Sequence, residues 1–382
     1  MNLKIVLDEN IPHAQEIFSP FGSIVALPGR KITNADLMDA DALIIRSVTN
    51  VDKSLLQNTS VKFVGTCTIG TDHVKEKELE DLNVHFCSAP GCNAQSVAEY
   101  VLTSLLDFAK KTNTTLKGKS IGIIGVGNVG SLVANYARAL EMQVLLNDPP
   151  RERNGDSLSF VPLKNILNCD FISLHVPLNK QGADKTFHLF DAKTISKMKP
   201  SAVLINTCRG SVVNNVDLKA ALHSNVIQSA ILDVWEKEPN IDTELFNLCH
   251  LGTPHIAGYS YDAKIRGGTM IADKLASFFH LASANYEGLG KSKIDSFQIS
   301  QIEDSDELAI KSIANLFYDP QEDHNALKIS ISDVNHGENF DNLRKNYRKR
   351  REFQIVPLKY KDSLLKEKLV NKLKSLQFKI LL

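Results

Sequence analysis

Three polar residues stand where apolar, strand-like runs end: Arg209 in AVLINTCRG, Glu238 in SAILDVWEKEP and His255 in HLGTPHIAG. Their types form a working set. Arginine carries a planar fork that grips a carboxylate through two parallel hydrogen bonds. Histidine exchanges a proton near neutral pH, and a carboxylate beside it raises its pKa and fixes its ring. Together they suit oxidation of an alcohol next to a carboxylate, with His255 taking the hydroxyl proton, Glu238 stabilising the imidazolium and Arg209 holding the acid. Taken singly, each has an ordinary reading: Arg209 as a surface ion-pair residue, Glu238 as a solvated loop charge, His255 as a buried, satisfied histidine. His175, in SLHVPL, is a rival acid-base group without an obvious carboxylate partner.

A second motif precedes all three. Gly125, Gly127 and Gly130, with Asn128 and Val129 between the last two, follow the strand-like SIGII and open the helical run VGSLVANYARAL. The first glycine permits a tight turn, the second lets backbone approach a pyrophosphate, and the third lets helix and strand pack closely, while the helix N-terminus supplies amide donors. The next strand-like run, QVLLND, ends in Asp148, placed to accept both adenosine-ribose hydroxyls and to repel a 2′-phosphate. NAD is therefore favoured over NADP, with Arg151 nearby as the residue that would suit the phosphorylated cofactor. In a doubly wound sheet the carboxyl ends of the strands line the ligand crevice, so residues far apart in sequence converge there.

The elements that must hold these residues repeat a βα pattern. KIVLDE, SIVAL, ALIIRSV, VKFVGTC and VHFCSAP alternate with helical stretches, and NAQSVAEYVLTSLLDFAKK is one long amphipathic helix. A second series runs through SIGIIG, QVLLND, DFISLHV, AVLINT, SAILDV and the short HLGTPHIAG, followed by the helix DAKIRGGTMIADKLASFF and a linker, EGLGKSK. The remaining residues read as a small module of four strands (SFQIS, LKISIS, FQIVPL, FKILL) and three helices. The fold class is α/β: two Rossmann-like doubly wound parallel-sheet domains plus a small C-terminal α/β domain.

Composition excludes other classes. With 382 residues, 43% of them hydrophobic, the chain can bury the cores of two or three domains. Lys+Arg and Asp+Glu both number 44, which argues against a nucleic-acid or membrane-surface protein. LRKNYRKRRE is accordingly read as a solvated helix, or as a source of a cation for an anionic substrate, with Arg350 and the separate Arg46 as the candidates. The six cysteines have no metal-ligand spacing and read as reduced thiols; no metal site is expected. MNLKIVLDEN has no secretory apolar segment and no run is long enough to span a bilayer, so the expected location is the cytoplasm.

GVGNVG, NTCRGSVVNN, LDVWEKEP and TPHIAGYS, in this order, resemble the D-2-hydroxyacid dehydrogenase family over about three quarters of the chain, and the resemblance puts that family's Arg-Glu-His set on Arg209, Glu238 and His255. LDENIP, ALIIRSVT, FVGTCTIGTDHV, APGCNAQSVAEYV, NDPPR and FDNLRKNYRKRREF resemble the members of that family acting on a phosphorylated four-carbon acid. What the resemblance implies is NAD-linked oxidation of 4-phospho-D-erythronate at C2, a step towards pyridoxal 5′-phosphate. It further implies a homodimer joined through residues 287–382, a substrate domain of residues 1–95 with 259–286, and an NAD-binding domain of residues 96–258. Ser47, Thr68, Arg209 and Tyr259 become substrate contacts; Asp148, Val176, Asp233 and Gly258 join the glycine loop as cofactor contacts. The alternatives are another phosphorylated-hydroxyacid dehydrogenase, such as one acting on 3-phosphoglycerate, and an NAD(H)-sensing binding protein on the same fold.

Overall fold

Val, Ile and Leu fill both faces of the short strand-like runs, and a strand apolar on both faces must be covered on both. The computed structural model, which describes residues 2–291, 294–360 and 365–381, shows such sheets. The chain divides into two compact units, one of residues 1–93 and 259–293, the other of residues 94–258 and 294–382.

In the first unit β1 (Leu3–Asp8), β2 (Gly22–Leu27), β3 (Ala42–Ile45), β4 (Phe63–Thr66) and β5 (His85–Ser88) form a wholly parallel sheet in the order β2-β1-β3-β4-β5. Ile271, Ala272, Leu275 and Ala276 of the Tyr261–Phe278 helix cover Leu3, Ile5, Ile44 and Phe63 on one face. Leu37, Val51 and Leu79 cover Val6, Leu43 and Val64 on the other. Of the linker EGLGKSK, residues up to Lys291 are described and form turns; Ser292 and Lys293 lie outside the described residues.

In the second unit β6 (Ser120–Ile124), β7 (Gln143–Asn147), β8 (Phe171–Leu174), β9 (Val203–Asn206), β10 (Ser229–Leu232) and β11 (Leu251–Gly252) form a parallel sheet in the order β11-β10-β9-β8-β6-β7. After β6 the chain moves outward to β7 and then returns past β6 to β8. The crevice at the carboxyl ends of β6 and β8 is therefore the topological switch point where such sheets bind nucleotides. The Ala94–Thr112 helix is buried from Ala94 to Ala109.

The C-terminal segment adds β12 (Phe297–Ile299), β13 (Leu358–Tyr360) and β14 (Ile380–Leu381), a parallel sheet in that order, to the second unit. Its helices are Asp306–Ala314, Pro320–Ser330, His336–Lys345 and Glu367–Ser375. LKISIS is not a strand: it ends the Pro320–Ser330 helix, whose start is capped by Asp319 with Pro320 in the first turn. The alternation of Leu327, Ile329 and Ile331 mimics a strand, yet Ile329 is 74% exposed while Pro320, Asp323, Leu327 and Ser330 are buried, a helical period. FQIVPL is a strand only from Leu358 onward, because Phe353 is stacked on Phe378 at 4.1 Å and its stretch turns to serve that core. FKILL forms β14 up to Leu381, with Leu382 outside the described residues.

LRKNYRKRRE is likewise not one solvated helix. The helix stops at Lys345, and Arg350 is 2% exposed, turned into the second unit and not available as a surface cation. A buried polar cluster joins the segment to the long helix: Asp107 accepts from Lys311 Nζ at 3.2 Å and Gln321 Nε2 at 2.8 Å, and His250 Nε2 lies 3.1 Å from it.

Candidate active site

The glycine loop is tight where the sequence requires glycine and open where a ligand would lie. Gly125 has φ +85°, a left-handed backbone, and a Cβ there would come 2.5 Å from the His175 carbonyl oxygen. A Cβ on Gly130 would fall 2.0 Å from the Gly125 oxygen, whereas one on Gly127 meets nothing within 4 Å. Asn128 and Val129 begin the Asn128–Ala139 helix, so its free amides face the loop. Val176, just after β8, lies against Gly125, within 2.9 Å of that added Cβ. Asp148 Oδ2 accepts the Val126 amide at 2.8 Å and Oδ1 the Arg151 amide at 3.1 Å. A carboxylate has about four acceptor sites, so capacity remains for a ribose diol. Arg151 bonds Asp156 at 2.9 Å through Nε and the Val126 carbonyl through Nη1, which turns it to the protein's own acceptors. The loop thus fits a dinucleotide.

Arg209, Glu238 and His255 follow β9, β10 and β11, three neighbouring strands of one parallel sheet. At the end of β9 the fully buried Asn206 shapes the turn: its Oδ1 accepts the Cys208 amide at 3.1 Å and its Nδ2 donates to the Arg209 carbonyl at 3.0 Å. Asn206 was not among the expected residues; an amide inside an apolar strand, AVLIN, is its signal in the sequence. A Cβ on Gly210 would fall 2.0 Å from the Trp235 carbonyl oxygen, so this glycine seats the Arg209 turn against the Trp235–Glu238 turn. Arg209 Nη1 also donates to the Cys208 carbonyl at 2.8 Å.

His255 Nδ1 lies 2.8 Å from Glu238 Oε2, and Glu238 Oε1 accepts the Trp235 amide at 2.8 Å. An ionised carboxylate only accepts, so the bond places the proton on Nδ1 and leaves Nε2 for exchange. Burial pushes the Glu238 carboxyl up, but the His255 charge, that hydrogen bond and the Trp235 amide outweigh it and hold the pKa below the usual value. His175 lacks such a partner, facing the Ser173 hydroxyl at 2.9 Å and the Thr207 hydroxyl at 3.5 Å. Burial pushes its pKa down to about 3, which keeps it neutral where an acid-base group must exchange protons.

The loop that carries His255 is braced by Asp233, which is 1% exposed. Its carboxylate accepts the Ile256 amide at 2.8 Å, the Ala257 amide at 3.0 Å and the Thr253 hydroxyl at 2.7 Å, and its carbonyl accepts the His255 amide at 2.7 Å. These bonds hold His255 at φ +56°, uncommon for a residue with a side chain, and set Gly258 at the end of the loop.

Within the first unit, Arg46 and the exposed Ser47 follow β3 and the partly buried Thr68 follows β4, at the carboxyl edge of that sheet. The hydroxyls of Thr68 and Thr66 are 2.8 Å apart, and Arg46 Nη1 donates to the Asn10 carbonyl at 3.3 Å. Tyr259 precedes the Tyr261–Phe278 helix, and Lys264 Nζ lies 4.9 Å from its ring centroid. Burial first, then the charge of Arg46, pushes Lys264 down to about 8.

Fold and fingerprint together define a dinucleotide-binding α/β protein. A family model described as the NAD binding domain of D-isomer specific 2-hydroxyacid dehydrogenases matches residues 103–257, and one described only as a domain of unknown function matches residues 289–376. The erythronate-4-phosphate dehydrogenase of Shewanella sp. (strain W3-18-1) is 41% identical over 366 residues, 94% of this chain and 95% of that one. The enzyme of the same name from Shigella flexneri serotype 5b (strain 8401) is 43% identical over 356 residues, 93% of each chain. An NAD-bound 3-phosphoglycerate dehydrogenase of Entamoeba histolytica shares the fold, with TM-score 0.64 over 73% of this chain and 96% of its own, at 22% identity. The chain belongs to the erythronate-4-phosphate dehydrogenase family, within the NAD-dependent D-2-hydroxyacid dehydrogenases.

Proposed function

We propose that the enzyme oxidises 4-phospho-D-erythronate at C2 to 2-oxo-3-hydroxy-4-phosphobutanoate, as a step towards pyridoxal 5′-phosphate in the cytoplasm. The observation that carries this reading is the identity of 41–43% to relatives of that name over nearly the whole chain, C-terminal segment included. In this reading residues 1–95 with 259–286 form the substrate domain and residues 96–258 the cofactor domain. Residues 287–382 join two copies into a homodimer.

The residues divide the work as follows. Gly125, Gly127, Asn128, Val129 and Gly130 hold the pyrophosphate, Asp148 the adenosine ribose, and Val176, Asp233 and Gly258 border the nicotinamide side. When bound, NAD supplies the hydride acceptor. Arg209 grips the carboxylate and so fixes C2. His255 Nε2 takes the C2 hydroxyl proton, and Glu238 stabilises the imidazolium that results. Ser47, Thr68 and Tyr259 bond the remaining hydroxyl and phosphate oxygens, with Arg46 and Lys264 as the cations for the phosphate.

NADH formation from 4-phosphoerythronate and from 3-phosphoglycerate, in wild type and in His255→Ala, tests the reading. Turnover of the four-carbon acid, lost in the variant, is expected. Faster turnover of 3-phosphoglycerate would replace the substrate, and turnover of neither acid would favour a dinucleotide-sensing protein.

A further inference from the structure

The C-terminal segment, matched only by a model of unknown function, delivers one guanidinium to the His255 loop. Arg350 Nη1 donates to the Ala257 carbonyl at 3.1 Å and Nη2 to the Ser96 carbonyl at 2.6 Å. Its guanidinium carbon lies 3.9 Å from the Tyr318 ring centroid, and Nη2 is 3.6 Å from Glu99 Oε2. Both peptides that flank the Ala257 Cα are thereby held, the one before it through its amide by Asp233 at 3.0 Å and the one after it through its carbonyl by Arg350. A second line reaches the same place: the Tyr318 ring meets Tyr100 at 6.0 Å, the Tyr100 hydroxyl is 2.8 Å from that of Thr253, and Thr253 donates to Asp233.

Stability alone gives little reason for a charge here, since a buried ion pair is often no better than a well-packed apolar pair. What an arginine adds is a rigid fork that fixes two carbonyls at once. One belongs to the peptide two residues beyond His255, whose left-handed backbone persists only if its surroundings hold it. The other lies just inside the start of the long helix. We propose that Arg350 is a positioning residue for His255, setting the imidazole through the Ala257 carbonyl, so that the C-terminal segment completes the catalytic loop. This rests on the reading of His255 as the proton acceptor.

The test compares wild type with Arg350→Lys, which keeps the charge beside Glu99 but lacks the planar fork that spans both carbonyls. The readouts are kcat, KM for NAD, and the number of NADH sites titrated by fluorescence. A displacement of the order of 1 Å costs about 100-fold in rate. The expected result is a fall in kcat of about 10- to 100-fold, with KM for NAD changed less than about threefold and the NADH sites intact. A kcat within about twofold of wild type overturns the proposal. So does a loss that follows the loss of NADH sites, which would make Arg350 a folding residue; Arg350→Gln is read by the same criteria. His255→Asn is measured alongside: full activity there removes the reading of His255, whereas an inactive His255→Asn beside an unimpaired Arg350→Lys removes only the role of Arg350. If neither acid is turned over, the NMR signals of the His255 ring, assigned with His255→Asn, decide. Signals displaced in Arg350→Lys support the proposal, and unmoved ones overturn it.

Discussion

Glu238 holds His255 Nδ1 with one carboxylate oxygen and is itself held through the other by the Trp235 amide of its own turn, each at 2.8 Å. The carboxylate is fixed before it fixes the ring. In Glu238→Gln the imidazolium loses its counter-charge, which disfavours the protonated ring. In the proposed oxidation the histidine accepts a proton and must be neutral, so kcat/KM rises with pH along an acid limb. The variant should show that limb at lower pH, with a plateau lower by about 100-fold. A pH profile of unchanged midpoint would show that Glu238 does not set the proton affinity of the ring.

Gly127 and Gly130 should separate binding from folding. A methyl on Gly127 meets no protein atom within 4 Å, so Gly127→Ala should keep its Tm and raise KM for NAD. A methyl on Gly130 collides with the Gly125 carbonyl, so Gly130→Ala should unfold at clearly lower temperature. Thermal melts and NAD titrations of the two variants check this.

Arg209→Lys retains a positive charge and loses the planar fork. A hydrogen bond to a charged group is worth about 1.5–3 kcal/mol, so kcat/KM should fall about 10- to 100-fold. An unchanged kcat/KM for the phosphorylated acid would remove the carboxylate role.

Lys264 gives a pH dependence of its own. With its pKa lowered to about 8, the ammonium is complete well below that value and is lost as pH rises through it, so KM for the phosphorylated acid should climb above about pH 8. Lys264→Arg, always charged, should flatten that rise. Steady-state kinetics from pH 6.5 to about pH 9 with phosphorylated and unphosphorylated acids check it, and equal changes for both acids would exclude a phosphate contact.

The two large sheets were legible because their strands are short aliphatic runs closed by turn residues, and the glycine loop because its spacing falls between a strand-like run and a helical one. Legibility failed where tertiary burial overrode a local pattern. The alternating Leu327, Ile329 and Ile331 read as a strand until Asp319 and Pro320 started a helix upstream. Arg350 sat in a run of basic residues, and nothing in its neighbours marks the one turned inward to Ala257. Nor do its neighbours show why position 210 is glycine: the backbone that crowds it is that of Trp235, far away in sequence.

Asp107 has a consequence for how the protein opens. Its carboxylate, 3% exposed, belongs to the long helix beside the cofactor sheet, yet Lys311 and Gln321 from the C-terminal segment satisfy it. Undocking that segment would take two donors from a buried carboxylate and leave it to His250 and Lys111. Segment and sheet therefore share one opening event: in native-state hydrogen exchange, the amides of β8 and of the Asp306–Ala314 helix should be released together, as a single foldon.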